Sequence, residues 1–88
     1  MTRQAAAASK APEMAEFVTI DVRGLKCPLP VLKTDRRMRD YSAGTRFVIL
    51  TTDPMAAIDL PHFCSENGHQ LLASGKEGEA LRFEIEKS

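Results

Sequence analysis

The residues with the clearest capacity for chemistry lie in Arg23-Gly-Leu-Lys-Cys-Pro-Leu-Pro30, where a thiol stands between a basic turn and two prolines. Pro28 and Pro30 suit the first turn of a helix, where backbone N–H groups have no intrahelical partner and a fixed φ does no harm. They also stiffen the chain on either side of the thiol's exit, and Gly24 supplies a turn of positive φ that decides where Cys27 points. A helix start carries fractional positive charge, and a thiol beside it or beside a cation can fall from a pKa of about 8.5 into the range ~3.5–7.5. Arg23 and Lys26 are the local cations. The spacing therefore predicts a nucleophilic thiolate at Cys27, and the same field would solvate an anionic persulfide, Cys-S-SH. Asp21 and Asp53 act in the opposite sense wherever they come close, because like charge disfavours a thiolate.

The bland reading of a free cysteine is a small buried hydrophobe. For Cys27 the polar turn and the following proline argue against it. For Cys64, next to Phe63 on the apolar side of a second helix, it is the preferred reading, and a Cys27–Cys64 disulfide depends on distances that a sequence does not supply. His62, Cys64, His69 and Cys27 are metal-ligand types, but their spacings match no compact finger or ribbon, so no metal is expected. Lys33, Arg36 and Arg37 fall on one flank of the first helix and Arg39 extends the patch. Such a flank is ordinarily a solvated face; its sharper use is to dock an acidic partner or RNA phosphates.

The elements that position these groups follow from periodicity. Residues 1–16, with Gln4-Ala-Ala-Ala-Ala8, have little to bury and are expected to form a mobile tail, or at most a marginal alanine-rich helix. A single domain is expected over 17–88. Val18, Ile20 and Val22 alternate as in a half-buried strand; Val31, Thr34 or Asp35, Met38 and Tyr41 then recur at helical spacing, up to Gly44. Arg46 to Thr52 holds an unbroken Phe-Val-Ile-Leu, as an interior strand does. Asp53-Pro54 opens a second helix that ends at Asn67-Gly68, with a kink or restart expected at Pro61. Gln70–Ala73 and Ala80–Glu86 read as strands joined by a Ser74–Gly78 loop. The order is βαβαββ, and right-handed crossovers place both helices on one face of a four-stranded mixed sheet, a two-layer α/β sandwich of the α+β type. The first three strands are expected to share a direction, with their spatial order left open. Two parallel strands would then bring the helix starts at Cys27-Pro28 and Asp53-Pro54 to one corner of the sheet.

Length and composition set outer bounds. At 88 residues the chain fills one small domain, and twelve basic against twelve acidic residues remove the electrostatic footprint of a dedicated duplex binder. The longest apolar run, Phe47–Leu50, is far too short to cross a bilayer, and no apolar stretch follows the first basic residue as in an export signal. A cytoplasmic location with reduced thiols is the expectation.

Asp21-Val-Arg-Gly-Leu-Lys-Cys-Pro-Leu-Pro30 resembles the signature of the TusA/SirA family of small sulfur carriers, a glycine-leucine turn followed by Cys-Pro-x-Pro, and the likeness continues through Thr52-Asp-Pro54 and Asp59-Leu-Pro-His-Phe-Cys64. The resemblance implies a βαβαββ sandwich with Cys27 as persulfide carrier. It also implies a cysteine desulfurase or other protein as sulfur donor, an acceptor sulfurtransferase cysteine, and routes such as tRNA thiolation, molybdenum cofactor synthesis or sulfur oxidation. Such a stoichiometric carrier, which is also classed with the sulfurtransferases, requires no metal or organic cofactor. Arg23 and Lys26 would then stabilise the anion or orient partners, and Asp53 would cap the second helix. Two readings compete with it. A regulatory or RNA-binding module would use the basic flank of helix one, but neutral charge and few aromatics weaken it. A thiol redox protein would need a Cys-x-x-Cys partner that the chain lacks.

Overall fold

A computed structural model describes residues 17–88, so the tail expected over 1–16 lies outside the described residues. The elements are β1 (Val18–Asp21), α1 (Leu29–Met38), β2 (Arg46–Thr51), α2 (Ala56–Asn67), β3 (Gln70–Glu77) and β4 (Ala80–Glu86). The sheet order is β1-β2-β4-β3. β2 runs parallel to β1 and antiparallel to β4, which pairs antiparallel with β3, so the first three strands share a direction and the last is inserted against it.

Alternation decides which residues meet the helices. Ile20, Phe47, Ile49, Phe83 and Ile85 are buried on one face, against Met38 of α1 and Ala56, Leu60, Phe63 and Cys64 of α2. Burial of each large apolar side chain is worth about 1.5–3 kcal/mol, which an 88-residue chain needs. Tyr41 closes one end of this core by setting its ring edge-on to Phe47, with centroids 5.2 Å apart. The other face of the sheet is open. There Val48 stands opposite Glu84, Leu50 opposite Arg82 and Arg46 opposite Glu86. Arg46–Glu86 and Arg82–Glu84 ion pairs, at 3.1 and 2.8 Å, flank the apolar residues of β2 on this face, where long charged side chains can shield apolar surface from water. This explains how an uninterrupted apolar run sits in a sheet with helices on one side only. The hydroxyls of Thr34 and Thr45 are buried and, among the described residues, have no hydrogen-bond partner.

Four local expectations are corrected. Helix α2 begins at Ala56 with Met55 at its N-cap and no side-chain cap, so Asp53, expected to cap it, lies in the turn before it. Helix α1 begins at Leu29 rather than Pro28, which takes the N-cap position, and Pro30 lies buried in the first turn. Helix α2 passes through Pro61 without a restart, because the bond that proline cannot make would end on Ala57, in the opening turn, and the rest of the ladder is unaffected. The Ser74–Gly78 segment is not a loop: β3 continues through Glu77, and the turn is Gly78-Glu79, with Gly78 at φ +61°.

Candidate functional site

Because β1 and β2 are parallel, both of their carboxyl ends reach the same edge of the sheet. The Val22 N–H still bonds the Leu50 carbonyl at 2.8 Å, after which the chain turns through Gly24 at φ +85°. That conformation is open to glycine and strained for other residues. It aims the Gly24 N–H at the Thr52 hydroxyl, 2.9 Å away in the turn after β2. The second link between the two turns is Asp53. One of its carboxylate oxygens accepts the Met55 N–H at 3.1 Å, closing the turn into α2, and the other accepts the Cys27 N–H at 2.5 Å. The two helix starts therefore do share a corner, and one carboxylate joins them. The Cys27–Pro28 peptide is cis.

The Cys27 thiol is exposed and Cys64 is buried, and both are free. Cys27, Pro28 and Val31 form one wall of a cleft of about 270 Å³, with Asp59, His62 and Glu66 of α2 on the other. Spacing explains the second wall, since positions i, i+3 and i+7 share a helix face. The electrostatics differ from the expected thiolate-stabilising field. Hydrogen bonding to the Asp59 side chain, then partial removal from water, then the negative charges of Asp59 and Asp53 push the Cys27 thiol above its ordinary range. Asp53 already occupies the Cys27 N–H, so the helix start is answered by a carboxylate instead of the sulfur.

Of the two local cations, expected to stabilise the anion or orient partners, Arg23 is paired with a carboxylate of β1. The Arg23 guanidinium grips Asp21 through two hydrogen bonds of 2.9 and 2.7 Å, and this grip holds Asp21 down to about 2. Lys26 is exposed and, among the described residues, makes no ion pair. On the outer face of α1, Lys33, Arg36 and Arg39 line a groove together with Leu25, Leu29 and Leu32. Leu29 and Leu32 are 50% and 56% exposed. Arg39 is held by Asp35 at 2.7 Å, while Arg37 is half-buried and outside the groove. His62 faces Glu66 at 3.5 Å, and the Ser88 N–H bonds the His69 ring at 3.1 Å, so the metal-ligand types are dispersed. Among the described residues no three His, Cys, Asp or Glu side chains form a metal-holding group. Asp59 has no site role in the sequence reading, where it enters only as the first residue of the Asp59–Cys64 stretch of the family likeness.

Fold and site together define a two-layer α+β domain presenting one exposed thiol at the carboxyl edge of its sheet. The chain belongs to the TusA family, whose profile, described as Sulfurtransferase TusA, matches residues 18–87. It is 36% identical over 76 residues to the sulfur carrier protein TusA of Allochromatium vinosum, covering 85% of this chain and 100% of that protein. It is also 36% identical over 75 residues to the sulfur carrier protein TusA of Pseudomonas entomophila, covering 85% and 94%. YrkF of Bacillus subtilis (strain 168) is 38% identical over 74 residues; the match covers 84% of this chain but only 40% of YrkF. The crystal structure of a SirA-like protein from Desulfitobacterium hafniense has the same fold, with a TM-score of 0.70, 22% identity, and coverage of 80% of this chain and 96% of that one. No helix among the described residues is long and apolar enough to cross a membrane.

Proposed function

We propose that this protein is a sulfur carrier that accepts sulfane sulfur on Cys27 as a persulfide and relays it to a cysteine of an acceptor protein. The observation that carries the reading is the exposed Cys27 thiol, held at a fixed corner by the Asp53 bridge within the span that matches the TusA family. Exposure matters because both steps are attacks between thiols on different proteins, each through a mixed encounter at the outer sulfur. Cys64 is buried, which leaves Cys27 as the sulfur that donor and acceptor reach.

A protein donor such as a cysteine desulfurase and a protein acceptor fit the surface next to the thiol. The leucine and cation groove on α1 offers apolar contact with a basic rim, a combination suited to a protein face carrying acidic residues. It presents no aromatic platform for nucleic-acid bases, which disfavours RNA as the partner. An unpaired exposed thiol also suits a reducing compartment such as the cytoplasm. The test is to incubate reduced protein with a cysteine desulfurase and cysteine and to measure intact and peptide masses. One added sulfur on Cys27, absent in Cys27→Ser, is the expected result. A wild-type Cys27 that stays unmodified with several donors, while the folded protein binds RNA with strong salt dependence, would replace this reading with the RNA-binding one.

A further inference from the structure

Resting on the persulfide reading, we infer that Thr52 is a positioning residue for sulfur transfer, whose hydroxyl locks the Gly24 turn and so fixes the direction in which the Cys27 thiol meets the sulfur of a docked partner. The segment 24–27 has little packing of its own to orient it. Gly24, Lys26 and Cys27 are exposed, and Leu25 alone among the four reaches the core. Gly24 is the pivot, at φ +85°, and a Cβ built there would meet no atom within 4 Å, so neighbouring atoms do not clamp it. A glycine free of packing samples a wide range of φ and ψ, and any swing at Gly24 displaces a thiol three residues further on.

A chain of side-chain hydrogen bonds holds the pivot instead. At the end of β2 the fully buried Thr51 hydroxyl accepts the Asp53 N–H at 3.2 Å, which pins the following turn to the sheet. From that turn the Thr52 hydroxyl accepts the Gly24 N–H at 2.9 Å, and the Asp53 carboxylate accepts the Cys27 N–H. The segment is thus held at both ends by consecutive residues of one turn. Asp53 brings a charge to the thiol as well, whereas Thr52 is neutral and acts on Cys27 only through the backbone, so its effect is one of geometry.

The chemistry is sensitive to that geometry. On loading, the Cys27 proton goes to solvent, the Cys27 sulfur bonds to the outer sulfur of the donor persulfide, and the donor's S–S bond breaks with the electron pair leaving on the donor cysteine. On release, an acceptor thiolate bonds to that outer sulfur and the Cys27 sulfur departs with the pair. One S–S bond replaces another in each step, so no oxidant or reductant is consumed. Each displacement needs its three sulfurs aligned, and a misplacement of about 1 Å can cost about 100-fold in rate.

The experiment measures single-turnover sulfur loading by quench mass spectrometry, over a range of concentrations of a persulfidated cysteine desulfurase, for wild type, Thr52→Val and Thr52→Ser. Alkylation of Cys27 by iodoacetamide, a small reagent that needs no docked geometry, and exchange of the Gly24 amide are followed alongside. Thr52→Val is expected to lower the limiting loading rate about tenfold while the half-saturating donor concentration and the alkylation profile stay as in wild type. The Gly24 amide should exchange faster, and Tm should fall by only about 2–4 °C, because the lost bond is neutral and exposed. Thr52→Ser keeps the accepting hydroxyl and should restore most of the rate. A limiting rate in Thr52→Val equal to wild type, a serine variant as slow as the valine one, or a loss confined to the half-saturating concentration overturns the inference. Thr52→Ala gives the same comparison should the valine variant lose its fold. If wild type itself takes no sulfur from several donors, the persulfide reading falls and this inference with it, a result distinct from any difference between wild type and variant.

Discussion

Replacing Asp53 by alanine removes the link between the two turns that build the thiol corner. The link consists of two hydrogen bonds from backbone N–H groups to one carboxylate, Cys27 at 2.5 Å and Met55 at 3.1 Å. A bond to a charged acceptor is worth about 1.5–3 kcal/mol when water is excluded. Cys27 is exposed and Asp53 is half-buried, so water competes for both groups and about 1 kcal/mol for each is the appropriate figure. The total is about 2 kcal/mol, which in a domain of this size lowers Tm by about 8–16 °C. Asp53→Asn retains one acceptor oxygen and loses the charge, and it should fall about halfway. Thermal unfolding followed by circular dichroism measures the global effect, and hydrogen exchange of the Cys27 amide measures the local one, where protection should be lost. The Asp53 charge is also one of the causes that raise the Cys27 thiol, so iodoacetamide should titrate that thiol at lower pH in the variant. A Tm within about 2 °C of wild type together with an equally protected Cys27 amide would refute the bridge as a structural tie.

Burial pushes Cys64 up to about 11, so iodoacetamide at about pH 8 should label Cys27 alone in the folded protein. Its folded pKa lies above the unfolded value of about 8.5, so the associated stability is complete below about pH 8.5 and is lost as pH rises toward about 11. Denaturant midpoints should therefore fall on alkalinisation, and less so in Cys64→Ala. Asp21 is held near 2 chiefly by the Arg23 side chain; its contribution is complete above about pH 4 and is lost as pH falls from there through about 2, and carboxyl NMR of Arg23→Ala should find Asp21 raised toward its usual 3.8 but still below it, because the backbone N–H of residue 23 remains bonded to it. Thr34→Val removes, at nearly equal volume, a buried hydroxyl that has no partner among the described residues and should raise stability by about 1 kcal/mol in chemical denaturation; a loss of that size would point to a hydrogen bond from the hydroxyl.

Element order and helix placement were legible because periodicity carries them: Phe83 and Ile85 alternate with charged residues, and Met38 falls on the buried face of its helix. The insertion of β4 between β2 and β3 was not, since strand pairing is a tertiary choice. The β-hairpin turn was misplaced because Gly75 and Gly78 look alike in sequence, whereas only Gly78 takes the positive φ of a turn. At the site, Cys27 was found from its motif, but the sign of its field was not. Arg23 and Lys26 are near it in sequence, while Asp53 and Asp59 are near it in space.

The central position of β4 bears on how the protein comes into being during translation. β2 and β3 share no ladder and meet only through β4, which is synthesised after every other element. A nascent chain that has emerged only through Glu79 holds a βαβ unit and an unpaired strand, with Ile49 and Leu60 lacking the Phe83 and Ile85 that fill the core beside them. The corner bearing Cys27 belongs to the early half, but the hydrophobic layer beneath it closes only when the last strand leaves the ribosome. Completion of the fold is thus a late event, and until then the unfinished sheet is exposed to proteases and chaperones.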